Sequence, residues 1–116
     1  VADQFHPKYA SPQESGTRGG VRWWRLTDAS GFGIEFCSDR HFSASAIPYA
    51  IPQLDNGSSE YVRHPGDLVS DGRTHVNIES VQSGLGCVNS WGRLPLPQYR
   101  MPYRDYEFKF RMSPIW

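Results

Sequence analysis

A chain of 116 residues has room for one domain with a core and is too short for two. Its 12 basic residues balance 12 acidic ones, which excludes the basic excess that nucleic-acid or anionic-membrane partners need. Neutrality of this kind suits a piece packed on a larger body better than a free-standing domain, which gains from net charge. The 11 Gly and 9 Pro punctuate a chain carrying 4 Trp, 6 Tyr and 6 Phe, a balance that favours short strands joined by turns.

Taken in chain order, residues 1–20 are polar and broken by Pro7, Pro12, Gly16, Gly19 and Gly20, which predicts a loop-rich opening segment. Val1-Ala2-Asp3-Gln4 has no initiator Met and no basic-then-apolar leader, as expected of an excised piece. Val21–Leu26 reads as a strand in which alternation sends Trp23 and Trp24 to opposite faces. Thr27–Gly31 reads as a turn, because Asp and Ser bond their own backbone and Gly accepts a positive φ. Phe32, Ile34 and Phe36 then alternate with Gly33 and Glu35, completing a hairpin. A third strand is predicted over His41–Ala46. From Pro48 to Gly72 the pattern weakens into a long connection with at most one short helical turn near Ile51–Leu54. Thr74–Val81 reads as a strand with Val76 and Ile78 on one face and His75, Asn77 and Glu79 on the other. The last strand is predicted over Tyr106–Met112, with Tyr106, Phe108, Phe110 and Met112 as its apolar face. The fold class is all-β, an antiparallel β-sandwich forming a single domain over residues 1–116.

Few residues suggest chemistry. Glycoside hydrolysis commonly needs two carboxyls at a set separation. Glu35, Glu79 and Glu107 fall on polar strand faces and Glu14 and Glu60 in loops, with no sign of a pair. His6, His41, His64 and His75 share no local ligand spacing, and Cys37 and Cys87 make no zinc motif. Two ordinary thiols are the favoured reading of the cysteines, and a disulfide between them stays open. No nucleophile elbow or phosphate loop is present. Val21–Arg25 mixes basic and aromatic residues, yet strand packing explains it better than single-stranded nucleic-acid stacking. The segment around Trp91 differs, because Gly84, Gly86 and Gly92 bracket an aromatic that belongs to no regular strand. Two readings stand level there: an exposed indole platform for a sugar face, or a plug at the end of the sandwich.

Tyr9-Ala10-Ser11-Pro12-Gln13-Glu14-Ser15-Gly16-Thr17-Arg18 resembles the Pro-Gln-Glu-Asn-Gly-x-Arg signature in the last domain of the large β-galactosidases of glycoside hydrolase family 2. Val21-Arg22-Trp23, Leu26-Thr27-Asp28, Gly31-Phe32-Gly33, Phe42-Ser43-Ala44 and Val76-Asn77-Ile78 follow in the family's order. Gly84–Gly92, Leu96–Arg100 and Tyr106–Arg111 complete it, so the resemblance covers nearly the whole chain. It implies the C-terminal part of a galactose-mutarotase-like β-sandwich in a retaining β-galactosidase. It also implies that both catalytic glutamates lie on an upstream TIM-barrel domain and that the Mg and Na ligands lie in other domains. No catalytic residue and no metal ligand is then expected in this chain. Trp91 is implied to be the platform for the aglycone sugar, supported by Gly84, Gly86, Asn89 and Ser90. Two departures bear on which β-galactoside is preferred: Cys87-Val88-Asn89 stands where Gly-Asp-Asp is usual, and Ser15 where Asn usually precedes Gly.

The expected partners are thus a β-galactoside and the upstream domain of the same polypeptide, with no nucleic acid and no membrane. The alternatives are an independent carbohydrate-binding module and a purely structural or interaction domain. Unpaired strand edges of a partial sandwich predict dimerisation or exchanged strands in the isolated chain. The parent's compartment is open between cytoplasm and periplasm.

Overall fold

The computed structural model describes Val1 and residues 16–54, 65–83 and 92–116. The described residues form four strands: β1 (Arg18–Thr27), β2 (Gly33–Ile47), β3 (His75–Glu79) and β4 (Arg111–Ile115). They form one sheet in the order β1-β2-β3, with β4 also paired to β2. The one α-helix among the described residues is the single turn α1 (Ile51–Leu54), so the all-β expectation holds. None of the described helices is long and apolar enough to cross a membrane. Two compact units divide the chain, one of residues 1–21 and 43–78, the other of 22–42 and 79–116.

In the second unit the hairpin follows from its turn. One carboxylate oxygen of Asp28 accepts from the Ser30 N–H at 2.8 Å, the Ser30 hydroxyl at 2.6 Å and the Phe32 N–H at 3.1 Å. The backbone closes with Asp28 N–H donating to Phe32 O at 2.9 Å, and Gly31 supplies the positive φ of 91°. The Ser30 hydroxyl bond, with backbone donors behind it, holds the Asp28 carboxyl below its ordinary value. At Gly33 the strands approach so closely that a Cβ would lie 2.0 Å from the Leu26 carbonyl oxygen.

Two strand assignments need correction. The predicted runs 32–36 and 41–46 are joined in one strand of 15 residues, Gly33–Ile47, because Cys37-Ser38-Asp39-Arg40 contains no residue that forces a turn and the strand is exposed only over Asp39–His41. The last strand lies at Arg111–Ile115, with Phe36 opposite Met112 and Cys37 opposite Arg111, and not over 106–112. The alternating aromatics before it pack without joining the ladder. Phe110 sits 6.3 Å from the Phe36 ring and Phe108 6.3 Å from the Phe42 ring, centroid to centroid. The Ser38 hydroxyl takes the Lys109 carbonyl at 2.8 Å, a group that a strand would have committed to its neighbour. At the other end of the chain, β1 starts three residues earlier than expected, at Arg18 within the predicted opening loop.

In the first unit the end of β2 is enclosed on both faces: Ala44, Ser45, Ala46 and Ile47 are all buried, together with Leu68. The buried Ser45 hydroxyl is satisfied by the Asn77 amide of β3 at 3.1 Å. That contact covers Asn77, which the alternation placed on the polar face, and all five residues of β3 are half-buried. The α1 turn forms where expected. Gln53 caps it by accepting from Ala50 N–H at 3.2 Å, and its amide donates to Val69 O at 3.0 Å.

Candidate functional site

The glycine-bracketed segment singled out by sequence, with Gly84, Gly86, Asn89, Ser90 and Trp91, lies outside the described residues, as does Cys87. Its two flanks are described, both in the second unit. On the N-terminal side β3 ends at Glu79, whose carboxylate accepts from the Gln82 amide three residues on. On the C-terminal side the chain resumes at Gly92 with φ of 94°, a left-handed conformation that a side chain would strain. Leu94 and Leu96 are exposed there, and Pro97 opens a 3-10 turn over Pro97–Tyr99 that needs no N–H at its first position. The Arg100 guanidinium then reaches back to Pro95 O at 2.6 Å. Each flank is therefore braced by a side-chain bond of short sequence span.

The described glutamates are each engaged. Glu35 accepts from Arg25 Nε at 2.5 Å and from the Cys37 thiol at 3.2 Å. The Arg25 bond, then the thiol, hold its carboxyl below the ordinary value. Glu79 is met by Gln82, and Glu107 by Lys109 at 2.5 Å. Glu14 and Glu60 lie outside the described residues, as do His6 and His64. Of the other histidines, His41 accepts from Arg22 Nε at 3.1 Å, which requires the tautomer protonated on Nδ1. His75 Nε2 bridges both carboxylate oxygens of Asp71, at 3.2 and 3.1 Å. The Arg73 backbone N–H, then His75, hold the Asp71 carboxyl low. Among the described residues no three His, Cys, Asp or Glu side chains come together to hold a metal ion.

One cluster went unread in the sequence. On the face of β1 that carries Trp23, the Arg25 guanidinium lies 5.1 Å from the Trp23 ring centroid while its Nε binds Glu35. Cys37 follows on β2 as a free thiol, pushed up chiefly by its bond to the Glu35 carboxylate. Beside it a shallow depression of about 460 Å³ is lined by Cys37, Ser38, Asp39, Lys109, Phe110 and Arg111. Arg25 and Glu35 stand at equal distances from Ser30, the centre of the observed Asp28–Phe32 turn, so closing the hairpin in that register brings them together. On the opposite face the indole N–H of Trp24 is buried without a partner among the described residues.

Comparison with known proteins adds what the geometry does not supply. A family described as the beta galactosidase small chain matches residues 1–112. A β-galactosidase of Halalkalibacterium halodurans is 36% identical over 110 residues, covering 93% of this chain and 10% of that protein. One of Lactobacillus delbrueckii subsp. bulgaricus is 36% identical over 89 residues, covering 76% and 8% respectively. A third, of Streptococcus thermophilus, is 27% identical over 117 residues, covering 99% and 11%. The chain thus spans about a tenth of the length of the relatives it matches.

Proposed function

The chain belongs to the beta galactosidase small chain family, and from that premise we propose that it is the non-catalytic C-terminal β-sandwich part of a retaining β-galactosidase of glycoside hydrolase family 2. The match across residues 1–112 carries this reading, supported by relatives named β-galactosidase that are about ten times longer. In the proposal the parent hydrolyses terminal β-D-galactosides. Its two catalytic glutamates stand on an upstream TIM barrel, and its Mg and Na sites lie in other domains. This chain supplies Trp91, whose indole face receives the aglycone sugar while the galactosyl unit is held elsewhere.

The test separates a leaving group that reaches Trp91 from one that does not. In the polypeptide carrying both the catalytic domain and this chain, Trp91→Ala is compared on lactose and on β-galactosyl fluoride. Loss of the stacking platform lowers kcat/KM for lactose, and transfer to sugar acceptors, about tenfold, or about 1.4 kcal/mol. Hydrolysis of the fluoride, which has no sugar to stack, stays within about twofold. Equal effects on both substrates overturn the platform role, and Trp91→Phe restores part of the lactose activity if stacking is the cause.

A further inference from the structure

The connection into β3 contains Asp71-Gly72, the one Asp-Gly pair of the sequence. Such a pair is chemically labile in an unrestrained chain. Glycine has no side chain to shield its backbone nitrogen, so that nitrogen can attack the carboxyl of the aspartate before it and close a succinimide ring. Gly72 sits at φ of 77°, where a side chain would be strained. The turn therefore requires glycine at the position that makes the bond labile.

Local bonds oppose that closure from both sides. The attacking group is engaged, because Gly72 N–H donates to the Ser70 hydroxyl oxygen at 3.2 Å. The attacked group is engaged too. One Asp71 carboxylate oxygen accepts from Arg73 N–H at 3.0 Å, and His75 Nε2 lies 3.2 and 3.1 Å from the two oxygens. The Arg73 N–H, then His75, hold the carboxyl low, and an ionised carboxylate gives up an oxygen poorly. His75 is the first residue of β3 and half-buried, so the strand fixes its ring. All of these groups fall within residues 70–75 of the first unit, so the arrangement is complete in itself.

We propose that Asp71-Gly72 is a latent site of backbone isomerisation and that His75, with Ser70, is the clamp that keeps it closed. When the clamp opens, Gly72 N bonds to Asp71 Cγ, and one carboxyl oxygen leaves as water with the N–H proton and the carboxyl proton. Water then opens the ring at either carbonyl. Opening at Cγ restores aspartate. Opening at the former peptide carbonyl routes the main chain through Cβ and Cγ, as isoaspartate. The product lengthens the backbone by one methylene just before β3 and takes the carboxylate away from Arg73 and His75. The site is separate from Trp91, and its failure leaves the reading of that residue untouched.

The chain is aged at neutral pH in water enriched in oxygen-18 and then digested with trypsin in ordinary water. Each passage through the ring leaves one heavy oxygen at Asp71, which fragment masses of the peptide ending at Arg73 locate. A blocked peptide of residues 68–76 gives the rate without the clamp. The intact chain takes up label about tenfold more slowly than this peptide, equivalent to about 1.4 kcal/mol of barrier. His75→Ala and Ser70→Ala bring the chain towards the peptide's rate, His75→Ala the further of the two. His75→Gln, whose amide still donates to Asp71, keeps most of the protection, which a loss of strand packing alone would not allow. Amide exchange over β3 shows which variants remain folded, and only those are compared. An intact chain that labels as fast as the peptide overturns the proposal. So does a set of folded variants in which neither His75→Ala nor Ser70→Ala labels faster than the unaltered chain.

Discussion

The two ends of β2 differ more than any two parts of the sequence suggest. From Phe42 to Ile47 the strand is nearly all buried, although its residues are mostly small: Ser43, Ala44, Ser45, Ala46. From Gly33 to His41 only Phe36 is buried, Ile34 is half-buried, and the flanking Phe110 and Met112 are exposed. Phe42 is 1% exposed and Phe110 44%. Burial here follows enclosure by neighbouring segments, and side-chain hydrophobicity alone does not decide it. Ala44 and Ala46 are core residues despite their small side chains, each being fully buried. Phe110 and Met112 are surface residues because no described segment covers them.

The contrast breaks most directly by truncation. Phe42→Ala removes an enclosed ring and should cost about 3–5 kcal/mol in denaturant unfolding, while Phe110→Ala should cost about 1 kcal/mol or less. Equal costs would mean that Phe110 is enclosed in solution. Gly33→Ala comes next. The added methyl meets the Leu26 carbonyl, part of the backbone, so the hairpin must open slightly, at about 1–3 kcal/mol by the same measurement.

The smallest expected effect concerns pH at the exposed end. Glu35 sits below its ordinary value of 4.5 in the folded chain because Arg25 bonds its ionised form. The folded state therefore binds fewer protons than the unfolded chain across that interval. The stabilisation is present above the unfolded value and is lost as pH falls through the folded one. Melting temperature should fall on acidification below about pH 4.5, and Glu35→Gln should flatten that acid limb while slightly lowering the melting temperature at neutral pH. An acid limb identical in the variant would assign the loss to Asp28 and Asp71, whose carboxyls are also held low.

Much of the local structure was legible. The Asp28 turn, the hairpin, the Ile51–Leu54 turn and the division of Trp23 from Trp24 all follow from residue chemistry acting over a few positions. The misplaced last strand marks the boundary of that reasoning. Tyr106–Met112 alternates as a strand should, but pairing depends on what β2 offers, and the Ser38 hydroxyl bonds the Lys109 carbonyl instead. The merged β2 fails for a related reason: an exposed polar stretch looks like a break until its neighbours are known. The cover over Asn77 has the same origin, since only its contact with Ser45 shows it. For the candidate site, the family resemblance named Trp91 and its loop, which lie outside the described residues. The Arg25–Glu35–Cys37 cluster was within reach of the hairpin register and was passed over because its members are ordinary surface types.

The Asp28 turn has a consequence for the order of folding. Its bonds span residues 28–32, so closing it restricts only five residues, and the loop entropy to be overcome is about as small as any in the chain. Hairpins of this kind close within microseconds, and contacts between residues far apart in sequence come later. The pairing of β4 with β2, which joins Phe36 to Met112 across more than seventy residues, belongs to that later class. The β1–β2 hairpin is thus the template already in place when the rest of the sheet arrives.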